Sequence, residues 1–223
     1  MHHRDSGSGI TVDPIVRDEL RDNLRPARWR NPEPADRYGL VVIGAGAAGL
    51  AAAQEAGASG ARVALVERDL LGGDRLNFGC EPSKALVRTA RTYAEMRDAR
   101  SYGAVVPPRV DVDFHVAMER VLRLRARLSR ATSPRMLQEA GIDLFFGHAV
   151  FKDHDHLDLD GVRLGFDKAL VATGAEPDVP DIPGLRDVGY FTNETIFGIG
   201  ALPRRLLVIG GGPLGCELAQ VFR

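Results

Sequence analysis

The sequence predicts an α/β protein built on a doubly wound parallel sheet. Three observations carry that expectation. The apolar run Leu40-Val41-Val42-Ile43 leads into Gly44-Ala45-Gly46-Ala47-Ala48-Gly49, the grammar of a strand, a tight turn and a helix start. A second run, Leu206-Leu207-Val208-Ile209, leads in the same way into Gly210-Gly211-Gly212-Pro213-Leu214-Gly215. Between the two, apolar stretches of strand length alternate with helical periodicities, as in a parallel sheet wrapped by helices.

The whole-chain balance fits this class. The chain has 223 residues, 44% of them hydrophobic and 26% charged, enough apolar side chain for a core and too much for disorder. A net charge of −1 gives no reason to expect nucleic acid or an anionic membrane as partner. No apolar run approaches the roughly 20 residues that cross a bilayer, and Met1 to Gly9 lacks the apolar stretch of a secretory signal. The two cysteines, Cys80 and Cys216, suit a reducing compartment, so a cytoplasmic location is expected.

Along the chain, residues 1–37 read as an extension and linker. Asp13 is placed to cap a short helix with Pro14 at its first position. The proline-rich stretch Arg25 to Pro34 reads as extended, with Trp29 pinned to the domain surface. A first domain is expected over 38–201 and the incomplete start of a second over 202–223. Within the first, Ala47 to Ala58 is a small-residue helix and Arg62 to Val66 a strand ending at Glu67. A helix is expected from Ser83 to Arg100. Phe114, Ala117, Val121, Leu124 and Leu128 form one apolar stripe on a long helix. Pro134 kinks or ends that helix, and Ala140-Gly141 closes the segment after it. Ile142 to Phe146 is a strand, and His156–Leu159 with Val162–Leu164 a hairpin about Asp160-Gly161. Ala169 to Ala172 reads as a buried strand, and Asp153 to Leu170 as a three-strand β insertion.

Each glycine turn is a device for holding a pyrophosphate. Gly44 permits the turn, Gly46 lets the ligand approach the backbone, and Gly49 lets helix pack on strand. Glu67 stands about 20 residues on, where a ribose hydroxyl needs an acceptor. Two such turns imply two dinucleotides with electrons passing between them.

The segment Leu71 to Lys84, LGGDRLNFGCEPSK, resembles the redox loop GGxCxNxGCxPSK of the pyridine nucleotide–disulfide oxidoreductases. Gly72, Gly73, Asn77, Gly79, Cys80, Pro82, Ser83 and Lys84 match it. Ala172-Thr173-Gly174, Pro177, Ile182-Pro183-Gly184 and the second turn with Glu217 come in the family's order. The wording LGGD.LNFGC.PSKAL and GYFTNETIF resembles the mercuric reductase-like branch. The resemblance implies a Rossmann-like FAD-binding domain with a small β-meander, then a truncated start of an NAD(P)-binding domain. It implies FAD at the first turn and NADPH or NADH at the second, with hydride passing through flavin to a small-molecule acceptor. By that resemblance Gly44, Gly46, Gly49, Glu67, Gly73, Lys84, Ala149, Thr173 and Gly174 hold FAD, and Gly210, Gly212 and Gly215 begin the nicotinamide site. Cys80 is the flavin-facing thiol, and Lys84, paired with Glu217, stands by the flavin N5. Relatives act as homodimers through an interface domain that this chain is expected to lack, with the rest of the second nucleotide unit.

One departure matters. Arg75 stands where the family has its first redox cysteine, so no disulfide with Cys80 can form; Glu81 stands where a small apolar residue is usual. Two readings are open: an FAD- and NAD(P)H-dependent oxidoreductase working through Cys80 or directly, or a non-catalytic FAD-binding fragment or decayed gene product. Arg75 and the start of a helix near Pro82 are both expected to favour the Cys80 thiolate, whereas Cys216 reads as a small core residue. No metal site is expected at Asp153-His154-Asp155-His156. Arg120, Arg123, Arg125, Arg127 and Arg130 read as a solvated face with salt partners.

Overall fold

A computed structural model describes residues 13–223, so the reading of Met1 to Gly9 lies outside the described residues. The first described element is α1 (Pro14–Leu24), capped by Asp13, whose carboxylate accepts the Ile15 N–H at 2.9 Å. Then come β1 (Leu40–Ile43), α2 (Ala47–Ala58), β2 (Val63–Glu67), the short α3 (Gly73–Asn77) and α4 (Cys80–Asp98). The long α5 (Phe114–Ser129) and short α6 (Pro134–Glu139) come next, then β3 (Ile142–Phe146). An antiparallel meander of β4 (Ala149–Phe151), β5 (His156–Leu159) and β6 (Val162–Gly165) precedes β7 (Ala169–Val171). Single-turn α7 (Leu185–Val188) and α8 (Asn193–Ile196) lead to α9 (Pro213–Val221).

The main sheet is parallel, in the order β3-β2-β1-β7. Val63 to Val66 are buried without alternation, as a central parallel strand must be when both faces are covered. One face, with Val42, Leu65 and Leu144, packs against Leu50 and Ala53 of α2 and Leu20 and Leu24 of α1. The other, with Val41, Ala64, Val66 and Phe145, packs against Leu157, Leu159 and Leu164 of the meander. The fold is therefore mixed α/β and Rossmann-like, with the small antiparallel sheet as its third layer.

Several expectations are corrected. The segment 206–209 forms no strand, and Leu207 is 84% exposed. An apolar parallel strand needs neighbours supplied from elsewhere in the chain, and none of the described residues pairs with it. β7 is the sheet's edge rather than a buried strand, with Val171 60% exposed. The meander starts at Ala149, and β7 belongs to the main sheet. Pro134 opens α6 at its first position, after α5 has ended at Ser129. α4 starts three residues early, at Cys80, because the chain becomes helical directly after Gly79. The stripe on α5 is wider than expected, with Met118 and Ala126 also buried. Of the five arginines, Arg123 and Arg130 have acidic partners, Glu119 and Glu19. Arg120 instead donates to the Ala85 carbonyl at 2.8 Å, and the Arg125 guanidinium is desolvated by burial.

The segment 13–37 packs into the domain. Trp29 meets Phe146 edge to face at 5.8 Å, and the Asn31 side chain both donates to and accepts from the Phe146 backbone at 2.8 Å.

Candidate functional site

A cleft of about 600 Å³ opens where the C-terminal ends of β1, β2 and β7 meet the loops beyond them. This is where ligands bind in open parallel sheets. Gly44, Gly46, Glu67, Gly73, Ala149, Thr173 and Gly174 all line it. Gly49 lies just behind, on the buried face of α2; a Cβ there would sit 1.8 Å from the Gly44 carbonyl oxygen. Gly44 itself has φ +104°, and a Cβ would fall 2.3 Å from the Ala172 carbonyl oxygen. The turn and the Ala172-Thr173-Gly174 segment thus touch at a distance only glycine allows.

The end of the cleft at the start of α2 suits an anion. α2 has Gly46 as its N-cap, with no capping side chain; its first turn holds no acidic residue, and Ala47 and Ala48 line the cleft. Its first backbone N–H groups, at the positive end of the helix dipole, are the donors a pyrophosphate needs. Glu67 accepts the Ala45 N–H on one carboxylate oxygen and the Asp69 N–H on the other, both at 2.7 Å. Lone pairs remain on each oxygen for a further donor. Arg68 and Glu176, paired at 2.8 Å, link the loop after β2 to the loop after β7 at the rim. A dinucleotide fits these residues.

The LGGD segment seats directly on the turn. Gly73, at φ +54°, approaches so closely that a Cβ would lie 2.8 Å from Gly46 Cα, and the Gly72 N–H donates to the Ala45 carbonyl at 2.8 Å. Buried Asn77 ties the loop together, donating to the Leu71 and Gly73 carbonyls at 3.0 Å each. Arg125 of α5 donates to the Leu76 carbonyl at 3.2 Å and to Asn77 Oδ1 at 3.0 Å. Burial pushes its guanidinium down to about 10; among the described residues no carboxylate pairs with it.

Cys80 and Lys84 lie outside the cleft, one turn apart on α4. The Cys80 thiol is exposed and points at the Arg75 carbonyl, 4.0 Å away. The Arg75 guanidinium meets Glu81 at 3.1 Å rather than the sulfur. The two departures from the family's loop pattern therefore pair with each other. Lys84 and Ser83 both bond Glu217 of α9, Ser83 at 2.8 Å. The Lys84 hydrogen bond, then that of Ser83, holds the Glu217 carboxyl below its usual range. Lys84 is 57% exposed, so this is a surface pair docking α9 on α4 and not a buried one.

The second turn keeps its local shape away from the cleft. Gly210 has φ +112°, and a Cβ on Gly215 would sit 3.0 Å from the Gly210 carbonyl oxygen, echoing Gly44 and Gly49. Gly210 and Gly212 are exposed. Cys216 is exposed too, correcting the expectation of a core residue; one turn into α9, it projects away from the single buried position, Leu218.

Asp153, His154 and Asp155 place candidate ligand atoms within 4.8 Å of one another. Their carboxylates already bond neighbours: Asp155 meets His156 at 2.6 Å and Arg37 at 3.1 Å, and Asp153 meets Arg163 at 3.5 Å.

A glycine turn, a carboxylate with open lone pairs and the loop leading to Cys80 surround one cleft of a Rossmann-like fold. The chain belongs to the pyridine nucleotide–disulphide oxidoreductase family, whose model matches residues 38–223. It is 35% identical over 187 residues to a mercuric reductase of Lysinibacillus sphaericus, covering 84% of this chain and 34% of that protein. Identity to a glutathione reductase of Nostoc sp. is 34% over 186 residues, covering 83% and 40%. Among solved structures, the HOCl-induced flavoprotein disulfide reductase RclA from Escherichia coli superposes with a TM-score of 0.70 at 30% identity, covering 83% of this chain and 39% of that one. The chain thus spans roughly a third to two fifths of the length of these relatives. Among the described residues, no helix is long and apolar enough to cross a membrane.

Proposed function

We propose that this chain carries the FAD site of an NAD(P)H-dependent oxidoreductase similar to mercuric reductase. The observation that supports it most is the seating of Gly73 on Gly46, which makes the thiol loop one wall of the nucleotide cleft. In this reading the α2 N-terminus and Gly46 receive the pyrophosphate, Glu67 the ribose, and Ala149, Thr173 and Gly174 border the rest of the FAD. Bound FAD would supply two-electron transfer between NAD(P)H and an acceptor. Lys84, held by Glu217, would place a cation where negative charge develops, and the second turn with Gly210, Gly212 and Gly215 would begin the nicotinamide site. Cys80, at the first turn of α4, would act as a single thiol, since Arg75 leaves it no partner in the loop.

A second reading is a non-catalytic FAD binder. Arg75 in place of a thiol favours it. The complementary charges of Arg75 and Glu81 favour a maintained loop over random decay, since one change supplies the partner of the other. The test is to purify the chain with added FAD, record the flavin spectrum, and then add NADPH or NADH anaerobically. Bleaching of a stoichiometric flavin supports the oxidoreductase. Flavin that binds but stays oxidised supports the second reading, and absence of binding defeats both.

A further inference from the structure

We propose that Arg25, which precedes the family-matched region, is a positioning residue for the nucleotide cleft, acting on Glu67 through a single peptide group. The proposal rests on the reading of Glu67 as the ribose acceptor. That peptide joins Arg68 to Asp69. Its carbonyl oxygen accepts Arg25 Nη1 at 2.9 Å, and its N–H donates to Glu67 Oε1 at 2.7 Å. The C=O and N–H of a trans peptide point in opposite directions. A cation therefore holds one end while the cleft carboxylate holds the other, and rotation of the unit would break both bonds.

The neighbouring contacts make this a built arrangement. The same Nη1 reaches the Asp69 carbonyl at 2.8 Å, and the Leu71 N–H donates to the Leu24 carbonyl at 3.1 Å. The guanidinium carbon lies 4.7 Å from the Phe146 ring centroid, within cation–π range. The cleft wall from Arg68 to Leu71 is thus stitched to the end of α1 from outside, while Ala45 holds Glu67 from inside at 2.7 Å. With both amide donors in place, the free lone pairs of Glu67 have a fixed direction. Without Arg25, the carbonyl end of the 68–69 peptide loses this partner, so the Asp69 N–H holds Glu67 Oε1 in a less firmly fixed direction.

The experiment measures equilibrium binding of ADP and of 2′-deoxy-ADP to the whole chain and to Arg25→Met and Arg25→Gln, with thermal melts alongside. The unaltered chain is expected to prefer ADP by about tenfold, the worth of a hydroxyl bond to a carboxylate. Both variants are expected to fall to about twofold or less, because the misplaced carboxylate no longer meets the hydroxyl. Either folded variant suffices for the comparison, and Gln keeps the length and polarity that the site accommodates. Variants that retain the full preference, or that weaken both nucleotides equally with the ratio unchanged, overturn the proposal and leave the cofactor reading standing. An unaltered chain that binds neither nucleotide, or both alike, overturns the reading of Glu67 itself.

Discussion

Gly73→Ala tests the contact on which the site depends. Gly73 has φ +54°, and a Cβ there would lie 2.8 Å from Gly46 Cα and 3.6 Å from the Gly46 nitrogen. The left-handed conformation costs alanine about 1–2 kcal/mol. The overlap is with backbone that cannot rotate away, so the loop must retreat from the turn, adding about 1–3 kcal/mol as in other overpacked sites. Gly60→Ala separates the two effects: Gly60 has φ +87° but nothing within 4 Å of its would-be Cβ. It carries the conformational cost alone. Urea denaturation of both variants should therefore show Gly73→Ala the less stable by about 1–3 kcal/mol. Flavin fluorescence titration should show about a tenfold or greater loss of FAD affinity for Gly73→Ala, because one cleft wall has shifted. Equal destabilisation by the two substitutions, with FAD affinity intact, would refute the seating of loop on turn.

Arg125→Met should change stability by less than about 2 kcal/mol: relief of the buried charge nearly balances the donors lost by Leu76 and Asn77. FAD affinity should nevertheless fall as the loop loosens, and a urea melt showing a loss above about 4 kcal/mol would count against this balance. Burial pushes the Tyr38 phenol up to about 12 from its ordinary 10, with the hydrogen bond to Asp143 adding to it. A raised value means stability fully present below pH 10 and lost as pH rises towards 12, on the order of 2–3 kcal/mol. Melting curves from pH 9 to about 12 should show Tyr38→Phe losing that dependence. The depressed Glu217 carboxyl works in the other direction. Docking of α9 is supported above the usual carboxylate range and weakens as pH falls through the lowered value; Glu217→Gln should flatten the acid limb of the stability curve.

The legible part of the sequence was local. The bounds of β1 and α2 come from an apolar run meeting a glycine turn, and the hairpin comes from Asp160-Gly161, whose φ values of +52° and +92° are those its turn demands. The features that escaped reading depend on distant partners. Leu206 to Ile209 has the composition of a buried strand, but a parallel strand exists only beside others. Arg125 is indistinguishable in sequence from Arg127, two positions on; only the fold puts one against Asn77 and leaves the other exposed. Arg25 sits in a proline-rich stretch that reads as a tether, and its role becomes visible only when Arg68 and Asp69 turn their carbonyls towards it.

The loop departures make the same point at the chemical centre. Taken singly, Arg75 removes a redox partner and Glu81 puts a charge where none is usual, so each reads as damage. In space they meet at 3.1 Å, with Arg75 64% exposed, a pairing that contributes at most about 1 kcal/mol. Its significance is in what it does not require. A disulfide across this loop would tie the loop's shape to its oxidation state, whereas an ion pair holds in reducing and oxidising conditions alike. With Asn77 and Arg125 fixing the other side, the wall of the cleft is set without any contribution from sulfur. Cys80 is thereby released from a structural duty, and whatever chemistry it performs is that of one free, exposed thiol on the loop that walls the cleft.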